Sequence, residues 1–262
     1  MGDGEKQYLY YDDSILLKRL SLYPYVQLGV MVLFVLIVYF ALISTKKAEQ
    51  NKVWVGLSKE TAHQLGTPIS SLMAWMDLLE SSGVDPSLLS DMNKDVNRLS
   101  IIAERFSKIG SKPEMELIYV NEVLENATEY MRRRVSDKVL ITTHLPSDAE
   151  GAMVCLSLFE WVIENLCKNA VDAMNGEGRI DVYMTSEKQQ IYIDIKDTGK
   201  GIARKNFKTV FNPGYTTKKR GWGLGLTLAK RIIEDYHAGR IYVKDSEVGK
   251  GTTFRIELKR VV

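Results

Sequence analysis

The most constraining feature of the sequence is a run of twenty residues without a charged side chain, Tyr25–Ser44 (YVQLGVMVLFVLIVYFALIS). A helix of this length spans about 30 Å, which is the thickness of the hydrocarbon core of a bilayer. Tyr23, Tyr25 and Tyr39 supply aromatic side chains of the kind that lie at membrane interfaces. Because the run is apolar on every side, we expect residues 25–44 to form a transmembrane helix and not a buried core helix.

The charges that flank this run indicate its orientation. More basic residues follow it than precede it; they are Lys46, Lys47, Lys52 and Lys59 after the run, and Lys6, Lys18 and Arg19 before it. Cytoplasmic flanks are enriched in Lys and Arg, so we expect a protein of the cytoplasmic (inner) membrane whose C-terminal part lies in the cytoplasm. Residues 1–24 are predicted to be a short membrane-proximal segment and residues 45–57 a helical linker.

The composition is otherwise that of a globular protein, with 45% hydrophobic and 26% charged residues. The formal net charge of +2 is too close to zero to indicate a nucleic-acid partner. Cys155 and Cys167 lack the spacing of metal ligands, and we expect them to be reduced core residues.

Two stretches after the linker have apolar residues at alternating spacings of three and four, as in coiled coils. The first seam consists of Ala62, Leu65, Ile69, Leu72, Met76 and Leu79, and the second of Leu89, Met92, Val96, Leu99, Ala103 and Phe106. Between them, Asp85 is the expected N-cap of the second helix and Pro86 its first residue. We predict an antiparallel hairpin over residues 58–112. A single hairpin leaves half of each seam in water, so we expect two copies to form a four-helix bundle.

His63 lies one residue off the first seam. Its helix face is otherwise polar, with Lys59, Glu60, Gln64 and Thr67 at helical spacing. A histidine in these surroundings can meet solvent and a substrate. A surface histidine without a role is the alternative that this stretch alone leaves open.

From Leu117 onward the pattern changes to alternating strands and helices. The predicted strands are 117–120, 139–144, 179–185, 190–196, 240–244 and 252–258, and the predicted helices are 121–133, 156–174 and 224–237. Strand hairpins mixed with helices predict an α+β sandwich over residues 113–262, with helices on one face of a mixed sheet.

The segment Glu164–Met174 (ENLCKNAVDAM) carries two asparagines four residues apart. Asn165 and Asn169 therefore project from one helix face, although asparagine is a poor helix former. Their amide oxygens suit Mg²⁺, which prefers hard oxygen ligands and keeps water and nucleotide phosphates in its shell. Two solvated amides are the alternative for this segment by itself.

Glycine-rich segments follow the predicted strand 190–196. In residues 197–201 (DTGKG), the carboxylate of Asp197 can accept a hydrogen bond from an adenine amino group, and the glycines let the backbone approach the ring. Residues 221–226 (GWGLGL) open a predicted helix, whose free N–H groups can bind phosphates. Each segment alone is also compatible with an ordinary turn.

Two further segments accompany these glycines. Residues 207–220 (FKTVFNPGYTTKKR) end in three cations, which is the composition of a mobile cationic lid, with a solvated loop as the alternative. Residues 249–252 (GKGT) form a predicted turn that leads Thr252 into the last strand, near the same site.

In this order and spacing, the segments resemble the N box, the glycine boxes and the F box with its lid in the GHKL (Bergerat) ATP-binding fold. Residues 58–72 (SKETAHQLGTPISSL) resemble the phosphoacceptor H box of sensor histidine kinases. The resemblance covers nearly everything after residue 45.

By this resemblance, His63 is the phosphoacceptor, Asn169 is the principal Mg²⁺ ligand and Asn165 assists it. The other implied contacts to ATP are Asp197 with Gly199 and Gly201 at the adenine, Lys218, Gly221, Gly223 and Gly225 at the phosphates, and Thr252 at the last turn. The implied chemistry is attack of the neutral His63 imidazole on the γ-phosphate of ATP, followed by transfer to an aspartate of a response regulator. Thr67 matches the residue that orients water for the reverse dephosphorylation of that partner.

One position departs from the family pattern. Such families commonly place Glu or Asp directly after the histidine as the base that takes the imidazole proton. Gln64 stands there in this chain, and an amide cannot take a proton at neutral pH. Glu60, one turn earlier, is a candidate substitute. A GHKL ATPase without a phosphoacceptor and a nucleotide-sensing scaffold without phosphotransfer are the alternative functions.

Overall fold

The computed structural model describes residues 15–109, 111, 113–218 and 223–261. The chain separates into two units, Met1–Leu57 and Ser58–Val262, which are described in turn. The predicted segment 1–24 lies mostly outside the described residues.

The first unit is helical from Ile15 onward. Its helix, α1, spans Ile15–Ser81 and so continues beyond this unit. Within the described residues, Leu22–Lys46 is the one stretch that is long and apolar enough to cross a membrane, and all its side chains are exposed. The predicted apolar helix is confirmed, and residues 45–57 are helical as expected. Because a signal sequence has the same properties, the membrane crossing itself stays a prediction.

The second unit begins with a helical hairpin. α1 continues through Pro68 to Ser81, and α2 spans Pro86–Ile109. The Asp85 carboxylate accepts a hydrogen bond from the Ser87 backbone N–H at 2.9 Å, so the predicted N-cap and the predicted first residue of α2 are both observed.

Only half of the two apolar seams is buried within this hairpin. Ile69 and Met76 from α1 form a core with Val96 and Ala103 from α2, and Leu65 packs against it. The alternate seam positions are between 36% and 44% exposed; they are Leu72, Leu79, Met92 and Leu99. The hairpin therefore has a packed inner face and a second, exposed apolar face with no partner among the described residues.

The remainder of the second unit is a mixed sheet covered by helices. Its strands are β1 (Glu116–Tyr119), β2 (Val139–His144), β3 (Gly151–Val154), β4 (Gly178–Glu187), β5 (Gln190–Asp197), β6 (Arg240–Glu247) and β7 (Gly251–Val261). Its helices are α3 (Val120–Arg132), α4 (Leu156–Ala173) and α5 (Gly225–Arg231), with short 3₁₀ turns at Arg204–Asn206 and Thr209–Phe211.

The strand order is β1-β3-β7-β5-β4-β2, and β6 also pairs with β7. Only the β2–β4 pair is parallel among the described strands. Alternate residues of β5 and β7 are buried beneath the helices, as an antiparallel sheet with one covered face requires. The predicted α+β sandwich is confirmed.

Two local features differ from the predicted elements. β3 was not predicted, because the strand is only four residues long and Val154 is its one β-branched residue. The predicted helix 224–237 changes after Arg231 into a π-helical turn, Ile232–Tyr236, which the His237 N–H closes by donating to the Ile232 carbonyl at 3.2 Å.

The prediction for the two cysteines agrees with the structure. Both cysteines are buried and free, and burial raises the pKa of the Cys167 thiol to about 12. His237 is buried, with Nε2 accepting from the Cys155 N–H at 3.0 Å, and its role is structural.

Candidate functional site

The orientation of α4 is set by its apolar side. Its buried residues pack against the sheet and the adjacent helices; they are Leu158, Phe159, Val162, Ile163, Leu166, Cys167 and Ala170. Because successive helical residues point about 100° apart, burial of this side fixes the direction of every other side chain. Asn165, Asn169 and Asp172 follow one another at spacings of four and three, so they share a second side of the helix.

Lys218 lies on this second side of α4. Its Nζ donates hydrogen bonds to Asn169 Oδ1 at 2.8 Å and to Asp172 Oδ2 at 2.6 Å. An amide oxygen and a carboxylate oxygen are hard donors, so this pair fits the Mg²⁺ ion that the resemblance implies. The Lys218 and Asp172 side chains are 38% and 41% exposed, and an ion pair of this exposed kind is weak enough to exchange partners.

Asp172 was absent from the predicted site. Its position three residues after Asn169 was a signal available in the sequence, because it places both side chains on one helix face. Lys200 is a second unpredicted contact, since its Nζ donates to Thr217 Oγ1 at 2.8 Å and so holds the loop beside Lys218.

Asn165 lies against the start of α5. A Cβ atom on Gly225 would be 2.5 Å from Asn165 Oδ1, so a larger residue there would displace the Asn165 amide. Within the described part of the chain, the buried Nδ2 of Asn165 has no hydrogen-bond partner. Gly223 has a φ of +65°, a left-handed conformation that favours glycine. Gly221 lies outside the described residues.

Asp197 ends β5 and is only 3% exposed. Its Oδ1 accepts a hydrogen bond from the Gly199 N–H at 2.8 Å. Burial raises the pKa of Asp197, against the lowering effect of the Gly199 and Thr252 backbone donors. A carboxylate held in this way is a strong acceptor at the end of β5.

The loop after Asp197 is compressed between two elements. A Cβ atom on Gly199 would lie 2.8 Å from the Ala173 backbone, and one on Gly201 would lie 2.1 Å from the Glu247 carbonyl oxygen. Ser246, which was not predicted, accepts from the Ile202 N–H at 2.8 Å and lies 3.0 Å from the hydroxyl of Thr252. A lone serine in a strand carries no sequence signal for this role.

The predicted residues on α1 are all exposed: Glu60, His63, Gln64 and Thr67. Gln64 Nε2 donates to Glu60 Oε1 at 2.7 Å. In the described residues, no hydrogen bond or ion pair joins His63 to the residues around α4. The structure thus gathers the predicted nucleotide residues around α4 and α5 and leaves His63 open to solvent on the hairpin.

This arrangement resembles that of a known class of ATPase domains. Residues 156–262 match the family described as histidine kinase-, DNA gyrase B-, and HSP90-like ATPase, and this part of the chain has the corresponding fold. The match agrees with the GHKL motifs of the sequence.

Among the proteins that contain such a domain, the chain is similar to kinases. Sporulation kinase A of Bacillus subtilis (strain 168) is 26% identical over 220 residues, which cover 82% of this chain and 36% of the relative. Sensor histidine kinase ZraS of Salmonella typhimurium is 26% identical over 226 residues, which cover 83% of this chain and 48% of the relative. The chain therefore resembles sensor histidine kinases over most of its length, while it spans less than half of the length of these two relatives.

A solved structure shows that the shared fold extends beyond the ATPase domain. Histidine kinase ThkA, in complex with response regulator protein TrrA, aligns with a TM-score of 0.54 and 19% identity. The alignment covers 82% of this chain and 64% of ThkA.

The buried charge of Asp197 leads to a prediction about stability and binding. We expect Asp197→Asn to be at least as stable as the parent at pH 7 in urea unfolding, because the amide keeps an acceptor for Gly199 without a buried charge. This gain is fully present above the raised native pKa, decreases as the pH falls through it, and is absent below the ordinary carboxyl value of 3.8.

In the same variant we expect ATP affinity to fall roughly tenfold or more, since a charged acceptor is lost. Titration with a fluorescent ATP analogue measures this. Asp181→Asn, at another buried carboxylate of the sheet, is the matched control. Parent-like ATP affinity of Asp197→Asn would contradict the assignment.

Proposed function

We propose that this chain is the catalytic part of a membrane-anchored sensor histidine kinase, which moves the γ-phosphoryl group of ATP to His63 and then to an aspartate of a response regulator. One observation carries the proposal. The side chains of Asn169, Asp172 and Lys218, which suit a metal ion and phosphates, lie in the same structural unit as a solvent-exposed histidine on a helical hairpin. The histidine kinase relatives and the partner in the ThkA complex support it.

Each residue of the cluster has a defined part in this proposal. Asn169, with Asn165, would hold Mg²⁺, which neutralises phosphate charge when it is bound. Lys218 would leave Asn169 and Asp172 and contact the phosphates. Asp197 would accept the adenine amino group. A nitrogen of His63 then forms a bond to the γ-phosphorus as the bond to the ADP oxygen breaks.

Glu60 is the proposed base for the second ring proton of His63. Its hydrogen bond from Gln64 keeps the carboxylate on the polar face of α1 that also carries His63. Gln64 would thus position a base that it cannot itself replace. Thr67, one turn after His63, would orient water for dephosphorylation of the regulator.

The first test is autophosphorylation of the full chain in detergent with Mg²⁺ and labelled ATP. We expect a label that is stable in base and lost in acid, as the P–N bond of phosphohistidine requires. His63→Gln should abolish the label and leave ATP affinity unchanged, because the exposed His63 side chain makes no described contact with the nucleotide cluster. His144→Gln is the matched control. An equally labelled His63→Gln variant, or ATP hydrolysis without any label, would favour the non-transferring alternatives.

The proposed base leads to a second test. We expect Glu60→Gln to slow initial labelling at saturating ATP by about 10²–10⁴-fold, which is the usual contribution of a positioned base. Gln64→Glu in that background should restore much of the rate, because it returns a carboxylate beside His63. Glu80→Gln, at an exposed position on the same helix, controls for the loss of charge. A silent Glu60→Gln would exclude Glu60 as the base.

We further infer a homodimer. The exposed seam residues lie at the repeats between the buried ones, so a second hairpin can cover them in a four-helix bundle. The apolar helix Leu22–Lys46 would anchor this dimer in the cytoplasmic membrane, for which retention in the membrane fraction after carbonate extraction is the test.

Charges in the exposed seam should separate the two copies. We expect Leu72→Asp with Leu99→Asp to convert the detergent-solubilised chain from dimer to monomer in sedimentation, since each buries an unpaired charge in the interface. Ser71→Asp with Asn97→Asp adds the same charges at exposed positions off the seam and should leave the dimer intact. A parent chain that sediments as a monomer would contradict the bundle.

A further inference from the structure

The last turns of α2 contact α4 through a partly buried ion pair. Arg105 Nη1 and Nη2 donate to the two carboxylate oxygens of Glu164 at 3.0 and 2.7 Å. The two side chains are only 14% and 20% exposed. A bidentate pair of this kind fixes the relative orientation of its two helices, because the planar guanidinium meets the carboxylate in one geometry.

Aromatic rings shield this ion pair from water. The Arg105 guanidinium lies 5.7 Å from the centroid of the Trp161 ring. Phe106 contacts Trp161 edge-on, with ring centroids 6.0 Å apart. An ion pair beside aromatic rings is screened less by salt than an exposed one.

Two more contacts hold the end of α2. Lys108 Nζ donates to Ser157 Oγ at 2.8 Å, and the Tyr236 hydroxyl donates to the Ile109 carbonyl at 2.5 Å. The Ile109 side chain is fully buried. The hairpin is therefore docked on the ATPase domain through the end of α2.

The docked end of α2 lies at the height of His63. In an antiparallel hairpin, the core residues Ile69 and Met76 of α1 face Ala103 and Val96 of α2, respectively. If this register is continued to the end of α2, His63 is level with Ile109. The ATPase domain is thus held at the level of the acceptor.

The ion pair also lies close to the nucleotide cluster. Glu164 directly precedes Asn165, and Ser157, Trp161 and Glu164 form a third side of α4 at spacings of four and three. The same helix therefore contacts the hairpin on one side and presents Asn165 and Asn169 on another.

We propose that Arg105 is a positioning residue for phosphoryl transfer. Its ion pair with Glu164 holds the ATPase domain on the hairpin level with His63, and so sets the transfer rate without contributing to ATP affinity. A buried ion pair specifies one arrangement more than it adds stability. The rate part of this inference rests on the proposed function, whereas the docking does not.

The test compares charge variants of the full chain in detergent. Arg105→Glu and Glu164→Arg should each lower labelling at saturating ATP at least tenfold, because like charges then meet in a buried contact. ATP affinity should change less than about threefold for Arg105→Glu. The double variant, which reverses the pair, should restore the rate to within about fivefold of the parent, which a merely destabilising change would not do.

Docking is measured independently of activity. In protein labelled with 5-fluorotryptophan, the ¹⁹F resonance assigned through Trp161→Phe should shift in each single variant and move back toward its parental position in the double variant. The matched control reverses the Lys94–Asp91 pair of α2, whose side chains are 72% and 81% exposed. This reversal should change neither the labelling rate nor the Trp161 resonance.

The outcomes separate the two proposals. A parent that does not label defeats the proposed function, and the Trp161 resonance still reports docking. Slower labelling with an unmoved Trp161 resonance, a shifted resonance with an unchanged rate, or faster labelling in the single variants would each overturn the positioning role of Arg105. Thermal unfolding of every variant identifies any that fail to fold.

Discussion

Burial of one side of α4 is the constraint on which the rest of the structure depends. Seven apolar residues between Leu158 and Ala170 are buried against the sheet and the adjacent helices. Their burial fixes the rotation of α4 about its axis. The two remaining sides then face different neighbours by geometry alone. One carries Asn165, Asn169 and Asp172, and the other carries Trp161 and Glu164. A one-residue slip in the packing of α4 would misdirect both sides together.

The elements that the sequence predicted well are those with a strong periodicity. The seams of the hairpin, the boundaries of β2 and the cap at Asp85 follow from apolar spacing and local hydrogen bonding, which neighbouring residues determine. β3 and the π-helical turn after Arg231 depend on distant partners instead. β3 is a strand because it pairs with β1 and β7, and its own four residues give little indication of this.

The candidate site divides in the same way. Asn165, Asn169, Asp197 and the described glycines were recognisable from motifs, and the structure brings them to α4, α5 and the end of β5. Which charged side chains pair with one another was not recognisable. Asp172 is 46 residues from Lys218, and Arg105 is 59 residues from Glu164. Such pairs are defined by tertiary packing, and one sequence contains no record of which charges will meet.

The half-buried seam has a thermodynamic consequence. In the proposed homodimer a second copy covers this apolar surface, so the stability of the hairpin would depend on protein concentration. A membrane anchor would confine two copies to a plane and raise their effective concentration without adding a contact. In such a chain, the density of the protein in the membrane becomes a determinant of how completely the bundle is folded.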